Sequence, residues 1–363
     1  MPAYKEKIKE LEELIRKTKY NKRTQHAIGL YKAQLARLRE KQEARGKGTG
    51  PKDGYAVRKT GDGTVLLLGF PSVGKSTLLN ALTNQESEIG TYDFTTLKVI
   101  PGLLNYKYAK IQLLDVPGVM RGAASGKGRG REVLSVMRNA DLVLVLIDAN
   151  QPEALPVLTK EVYDAQIRLN QKKPDVKIKK TAKDGIKVAS TVKLGLDNNT
   201  IKDILKEFRI SNAEIVIREK INIDKLIDCI EDNKKYVPAL GVITKSDMLS
   251  HEKLKKIIKK TKADIAVSAK KGKGLKKLKE LIFKKLNLMS VYMKEPGKEA
   301  DLEEPLIIQK GATIKNVCEK LHKDFVRLFK FSRVTGPSAK FPDQKFMLNH
   351  TLKDGDVLEI HLF

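Results

Sequence analysis

Eight consecutive residues, Gly69-Phe70-Pro71-Ser72-Val73-Gly74-Lys75-Ser76, fit the pattern G-x-x-x-x-G-K-[ST]. Glycines let such a loop close tightly enough for successive backbone N–H groups to face one point, a nest suited to phosphate. Lys75 is spaced to reach the β- and γ-phosphates of a nucleoside triphosphate, and the Ser76 hydroxyl to ligate Mg2+. This chemistry needs a buried strand before the loop and a helix after it, because the helix N-terminus adds its positive dipole to the same point. The apolar run Val65–Leu68 supplies the strand, and Thr77-Leu78-Leu79-Asn80-Ala81-Leu82 reads as the helix.

Further motifs follow in order. Asp115-Val116-Pro117-Gly118 closes an apolar run, offering a carboxylate for the metal and a glycine N–H for the γ-phosphate. Thr96, in Tyr92-Asp93-Phe94-Thr95-Thr96, lies between loop and carboxylate, where a switch segment would bring a hydroxyl to the metal. The expected metal ligands are therefore Ser76, Thr96 and Asp115, and the expected catalytic residues Lys75, Thr96 and Gly118. Thr244-Lys245-Ser246-Asp247 resembles the N-K-x-D guanine signature. The Asp247 carboxylate can accept from guanine N1–H and its exocyclic amine, whereas adenine would leave that carboxylate unmet. The Lys245 stem would pack along the base, and Ser268-Ala269-Lys270 can offer backbone N–H groups to O6. Read together, Gly69 through Thr77, Asp115, Gly118, Thr244, Lys245, Asp247 and Ser268–Lys270 point to GTP as bound substrate.

These residues must sit on a doubly wound, mostly parallel α/β sheet. Val65–Leu68, Ile111–Asp115, Leu142–Asp148, Ala239–Thr244 and Asp264–Ser268 read as strands covered on both faces. This predicts a nucleotide domain over residues 60–165 and 236–292. Residues 1–50 read as a basic helical pair, with Ile8, Leu11 and Ile15 on one stripe and Ile28, Tyr31, Leu35 and Leu38 on the other. Residues 166–235 read as an inserted α+β domain. Ahead of it a helix follows Pro152 and runs to about Leu169; within it Val176–Ser190 alternates as a hairpin around Asp184-Gly185, and Thr200 caps a helix. Glu295-Pro296-Gly297-Lys298 reads as a linker, and residues 302–363 as a β-grasp module.

Across the 363 residues, 71 Lys and Arg face 44 Asp and Glu, a net charge of +27. Residues 1–60 hold 17 basic and 7 acidic side chains, and residues 251–290 hold 14 and 3, whereas residues 302–363 hold 10 and 8. Such uneven excess implies an anionic partner larger than a nucleotide, either nucleic acid or an anionic membrane, and the N-terminal helices are the expected RNA contact. No DNA specificity is evident. Two distant cysteines, an early charged N-terminus and no apolar run beyond Leu142–Ile147 lead to the expectation of a cytoplasmic protein without a membrane segment. A monomer is expected, although none of these features bears on oligomeric state.

The wording G-F-P-S-V-G-K-S, F-T-T-L, D-V-P-G and S-A-K, in this order, resembles the Obg-related GTPases and most closely the developmentally regulated GTP-binding proteins. The resemblance covers nearly the whole chain. It implies a GTPase with Mg2+, an insert similar to part of a ribosomal S5-type fold, and a C-terminal TGS domain. It also implies association with the ribosome in translation and with a small regulatory protein. Two departures stand out: Thr244 replaces the usual Asn, and Val119 follows Gly118 where Ras-type enzymes place the glutamine that orients water. Slow intrinsic hydrolysis is expected. Assistance could come from Arg121, Arg129 or Arg131 in cis, from K+, or from a partner. The alternative is a GTP-dependent binding module with negligible turnover until a partner activates it.

Overall fold

The computed structural model describes residues 2–45, 61–83, 100–115, 137 and 139–363. Two helices open it, α1 (Pro2–Lys17) and α2 (Gln25–Arg45). Asn21 reverses the chain between them by accepting hydrogen bonds from the N–H groups of Arg23 and Thr24. Next come β1 (Gly63–Leu68), α3 (Lys75–Leu82), β2 (Ile100–Tyr106), β3 (Ala109–Asp115), β4 (Leu142–Asp148), α4 (Ala154–Asp164) and the short β5 (Ile167–Leu169). An insert contributes β6 (Val176–Lys180), β7 (Ile186–Ser190), α5 (Asn198–Glu207), β8 (Ala213–Ile217), α6 (Ile223–Glu231) and β9 (Lys235–Val237). Then follow β10 (Ala239–Thr244), α7 (His251–Thr261), β11 (Ile265–Ala266) and α8 (Leu275–Lys285). The tail holds β12 (Leu288–Lys294), β13 (Ala300–Gln309), α9 (Ile314–Leu321), α10 (Lys323–Arg327), β14 (Phe329–Thr335), β15 (Gln344–Phe346) and β16 (Val357–Leu362).

These elements form two compact units, Met1–Asp53 with Gln171–Tyr236 and Gly54–Asn170 with Val237–Phe363. The larger unit is built on a six-stranded sheet in the order β11-β10-β4-β1-β3-β2, parallel except for the edge strand β2. Every residue of β1 is buried. Val65 and Leu67 pack with Leu78 and Leu82 of α3 and Leu278 and Ile282 of α8, while Leu66 and Leu68 pack with Leu158 and Val162 of α4. Cover on both faces is why these strands are continuous apolar runs.

A second sheet, β13-β12-β16-β14-β15, curls around α9, whose Ile314, Val317 and Cys318 meet Met289, Val291, Val334 and Leu358. A parallel β12–β16 pair at its centre makes it a β-grasp. Its first strand starts at Leu288, ahead of the boundary expected at 302. Glu295-Pro296-Gly297-Lys298 is the turn joining β12 to β13, not a linker. Gly297 takes a φ of 79° and Lys298 N–H donates to the Glu295 carbonyl. Pro followed by Gly suits a tight reversal as well as a break between domains, and tertiary pairing selected the reversal.

In the smaller unit the N-terminal helices share one core with the insert. Ile28 and Ala33 of α2 are buried with Ile201, Ile204 and Leu205 of α5 and Leu226 of α6. Gly29 permits this approach: a Cβ there would stand 3.2 Å from Ile204 Cδ1 and 3.3 Å from Thr200 Cγ2. A Gly29→Val change adds two further methyls to that contact. It is expected to destabilise the unit by roughly 1–3 kcal/mol, read as a lower urea midpoint.

Three local expectations are corrected here. β6 and β7 do not pair as a hairpin, because β8 lies between them, antiparallel to β6 and parallel to β7. Gly185 bonds the segment leading into β8 instead, its N–H donating to Asn212 Oδ1 and its carbonyl accepting from Ala213 N–H. A turn signal fixes a reversal but not the partner, and β8 takes the central place by burying Ile215 and Ile217. The cap of α5 is Asp197, which accepts from Thr200 N–H at 2.8 Å, while Thr200 itself is buried inside the helix. Lastly, α4 stops at Asp164 and Ile167–Leu169 is a strand.

Candidate nucleotide site

Every expected site residue that the structure describes lies at the carboxyl ends of the parallel strands. The loop after β1, Asp115 ending β3, Asp148 ending β4, Thr244 ending β10 and Ser268 just beyond β11 all stand on that edge. From β1 the strand order runs to β3 on one side and to β4 on the other, so the loop sits at the topological switch point where open α/β sheets bind ligands.

Glycine is required in the loop for two separate reasons. At Gly69 a Cβ would come within 2.8 Å of Val73 Cγ1 and 3.1 Å of the Leu146 carbonyl oxygen. At Gly74 space is open, but φ is 95°, a left-handed conformation that strains other residues. Ser72 also holds a positive φ of 62°. Gly74 caps α3 without a side-chain bond, and no acidic residue lies in the first turn, so the helix N-terminus faces the loop uncompensated.

Lys75 folds back over the loop, its Nζ donating to the carbonyls of Gly69 and Phe70 at 3.2 Å each. Burial pushes its pKa down, against an opposing pull from Asp115. One residue on, Ser76 Oγ donates to Asp115 Oδ2 at 2.9 Å. Asp115 is 3% exposed, and its Oδ1 has no hydrogen-bond partner among the described residues. A buried carboxylate oxygen without a partner, beside a hydroxyl oxygen, is a hard-donor pair that fits Mg2+.

The base-side motif is joined to the loop. Thr244 is buried, and its Oγ1 lies 2.7 Å from the Val73 carbonyl oxygen and 3.2 Å from that of Ile147. Its hydroxyl thus donates to the phosphate loop itself. Lys245 takes a left-handed φ of 54°, and its Nζ meets Asp148 Oδ2 at 2.7 Å. Burial pushes the Asp148 carboxyl up, but the Lys245 hydrogen bond and the Asn150 N–H outweigh it and hold it below the usual range. Asp247 stands in a single 3-10 turn, Ser246–Met248. The Ser268 hydroxyl, with Lys271 and Lys270 nearby, keeps its carboxyl low. Ser246 N–H donates to the Val267 carbonyl, so the two base-side segments are fastened together.

Thr96, Gly118 and Val119, with Arg121, Arg129 and Arg131, lie outside the described residues. Asp148 is the site residue that motif reading passed over. Its signal was present, a carboxylate ending an apolar run at the binding edge of a parallel sheet.

Comparison with known proteins agrees with this geometry. Residues 64–180 match the family described as "50S ribosome-binding GTPase", residues 183–288 the C-terminal region of that domain, and residues 289–362 the TGS domain. An uncharacterized GTP-binding protein of Methanocaldococcus jannaschii is 54% identical over 360 residues, 98% of this chain and 92% of the relative. Developmentally-regulated G-protein 3 of Arabidopsis thaliana is 42% identical over 99% of each chain. Human Developmentally-regulated GTP-binding protein 2 is 40% identical over 98% of each. Full-length similarity at this level, on a sheet carrying the phosphate loop at its switch point, shows that the chain belongs to the developmentally regulated GTP-binding proteins, a family of P-loop GTPases.

Proposed function

We propose that the chain hydrolyses GTP slowly to GDP and phosphate and uses its two nucleotide states to control docking on ribosomal RNA. The observation that carries the nucleotide reading is the hydrogen bond from Thr244 to the Val73 carbonyl, which joins the base-side segment to the phosphate loop. In this reading Asp247 accepts from guanine N1–H and the exocyclic amine, and the Lys245 stem lies along the ring, steadied by Asp148. Backbone N–H groups of Ala269 and Lys270 face O6, whereas the Ser268 N–H is taken by the Lys273 carbonyl at 3.0 Å. Backbone N–H groups of the loop and the first turn of α3, from Ser72 to Thr77, cradle the phosphates, and Lys75 exchanges two loop carbonyls for phosphate oxygens. Ser76 and Asp115, with Thr96 from the switch, would hold Mg2+. When bound, this ion supplies charge neutralisation on the β- and γ-phosphate oxygens. Gly118 offers its N–H to the γ-phosphate.

Val119 cannot hydrogen-bond the attacking water, so the intrinsic rate is low, at most on the order of 10⁻³ s⁻¹ in single turnover. The test is single-turnover hydrolysis with and without ribosomes, in K+ and in Na+ buffer. Turnover on the order of 1 s⁻¹ by the isolated chain would refute the slow-switch reading. The valine also favours a second reading, a GTP-dependent binding module, which gains if no buffer or ribosome stimulates hydrolysis. For the RNA role, the net charge of +27 and the ribosome-binding description of the matched family are the support.

Thr244→Val keeps the side-chain shape and removes one buried hydrogen bond. Affinity for GDP and GTP is expected to fall equally, about tenfold, for a loss of roughly 1.4 kcal/mol. Titration with a fluorescent guanine nucleotide measures both.

A further inference from the structure

The RNA reading places the contact on the N-terminal helices, but the structure pairs part of their charge with carboxylates of the same unit. Lys32 pairs with Asp224 at 2.8 Å, Arg37 with Glu207 at 3.1 Å, and Arg39 with Glu12 at 2.7 Å. Within the same unit, residues 172–193 carry eight lysines against two aspartates. Two of these lysines are compensated, Lys173 by Asp232 at 2.6 Å and Lys187 by Asp184 at 3.8 Å. Among the described residues no carboxylate lies within ion-pair distance of Lys177, Lys179, Lys180 or Lys183, and all four are exposed.

Register concentrates this charge on one surface. Val176, Ile178, Ile186 and Val188 face the core of the unit, so Lys177, Lys179 and Lys187 project from the opposite face of the β6-β8-β7 sheet. Across that face Lys179 and Lys187 flank Glu214, and Lys177 and Ala189 flank Val216. No aromatic residue occurs between residues 171 and 207 or in β8. A surface with lysines and no aromatic ring can hold phosphates but cannot stack unpaired bases, which is what binding of single strands requires. With only Val216 and Ala189 as apolar groups, it also lacks the hydrophobic centre of a protein interface.

We propose that this open face binds the phosphate backbone of double-helical RNA, with Lys177 and Lys179 as contacts and Glu214 as a built-in brake on affinity. The proposal rests on the RNA reading above and names the surface and the form of RNA.

The test uses the full-length chain, an RNA duplex of mixed sequence and an unpaired RNA of the same length, titrated over a salt series. Wild type should prefer the duplex. The double variant Lys177→Gln/Lys179→Gln should lose about tenfold or more in duplex affinity, with its salt slope reduced by about 2, as loss of two phosphate contacts requires. Glu214→Gln removes the opposing charge and should tighten duplex binding about two- to threefold. Nucleotide affinity and melting temperature should stay unchanged in both, reporting an intact fold. If wild type binds the duplex and neither variant alters affinity, this face is not the contact while the RNA reading survives. If wild type binds neither RNA even at low salt, the RNA reading falls as well. Equal affinity for duplex, single strand and heparin would overturn the proposal by showing a general polyanion surface.

Discussion

Asp247→Asn should lower affinity for GTP at least a hundredfold and give the chain a preference for XTP. An ionised carboxylate accepts two hydrogen bonds from guanine, and an amide can accept only one, presenting its NH₂ group where the other was met. Xanthine carries a carbonyl in place of the exocyclic amine, so the same substitution that opposes guanine complements xanthine. A polar pair mismatched against the bound base sets the expected factor. Competition of GTP, XTP and ATP for one labelled nucleotide reads the result, and unchanged GTP affinity would remove Asp247 from the site. The pH dependence has a definite sign. The Ser268 hydroxyl holds the Asp247 carboxyl below its ordinary value, so the carboxylate persists through mild acid. Its contribution to guanine binding should therefore remain down to about pH 5 and be lost only as pH falls through the depressed pKa.

Lys75→Ala should reduce affinity for GTP by two to three orders of magnitude and for GDP by less, since the ammonium is spaced to bridge β- and γ-phosphates. Loss of one partner in a desolvated charge contact costs roughly 2–5 kcal/mol. The free protein should behave oppositely. Burial opposes the Lys75 charge more than Asp115 favours it, and its Nζ donates to two neutral carbonyls, so the alanine variant should melt no lower than wild type in the absence of nucleotide. Calorimetry with and without GTP separates the two effects. A variant that unfolds without nucleotide would make Lys75 a structural residue instead.

The strands that carry the site were legible because both their faces are buried. Leu142–Asp148 and Ala239–Thr244 are apolar at nearly every position, and such runs announce themselves whatever their neighbours. Edge strand β2 was missed: it contains Pro101 and Gly102 and turns into β3 through Lys107 and Tyr108, both at positive φ without a glycine to signal it. Partnership was also hidden. Alternation in Val176–Lys180 and Ile186–Ser190 marked two strands facing one core, yet it could not reveal that β8, more than 20 residues later, would separate them. The Pro296-Gly297 pair was recognised as a break, and only the pairing of Leu288–Lys294 with both β13 and β16 made it a hairpin.

By itself the sequence determined the ligand chemistry of this protein, because phosphate loops and base-reading carboxylates depend on residue types at short, fixed spacings. What only the tertiary structure decided are relations between distant segments. Thr244 reaches the Val73 carbonyl across 171 positions, and Asp148 meets Lys245 across 97. The basic N-terminal helices joined the insert through Ile28 and Ala33 of α2, and of the apolar stripe read from the sequence only Ile28 enters that shared core. Packing then turned part of their charge inward and left lysines exposed on a sheet that no local pattern had singled out. Spacing fixes chemistry within a motif, and burial chooses which motifs meet.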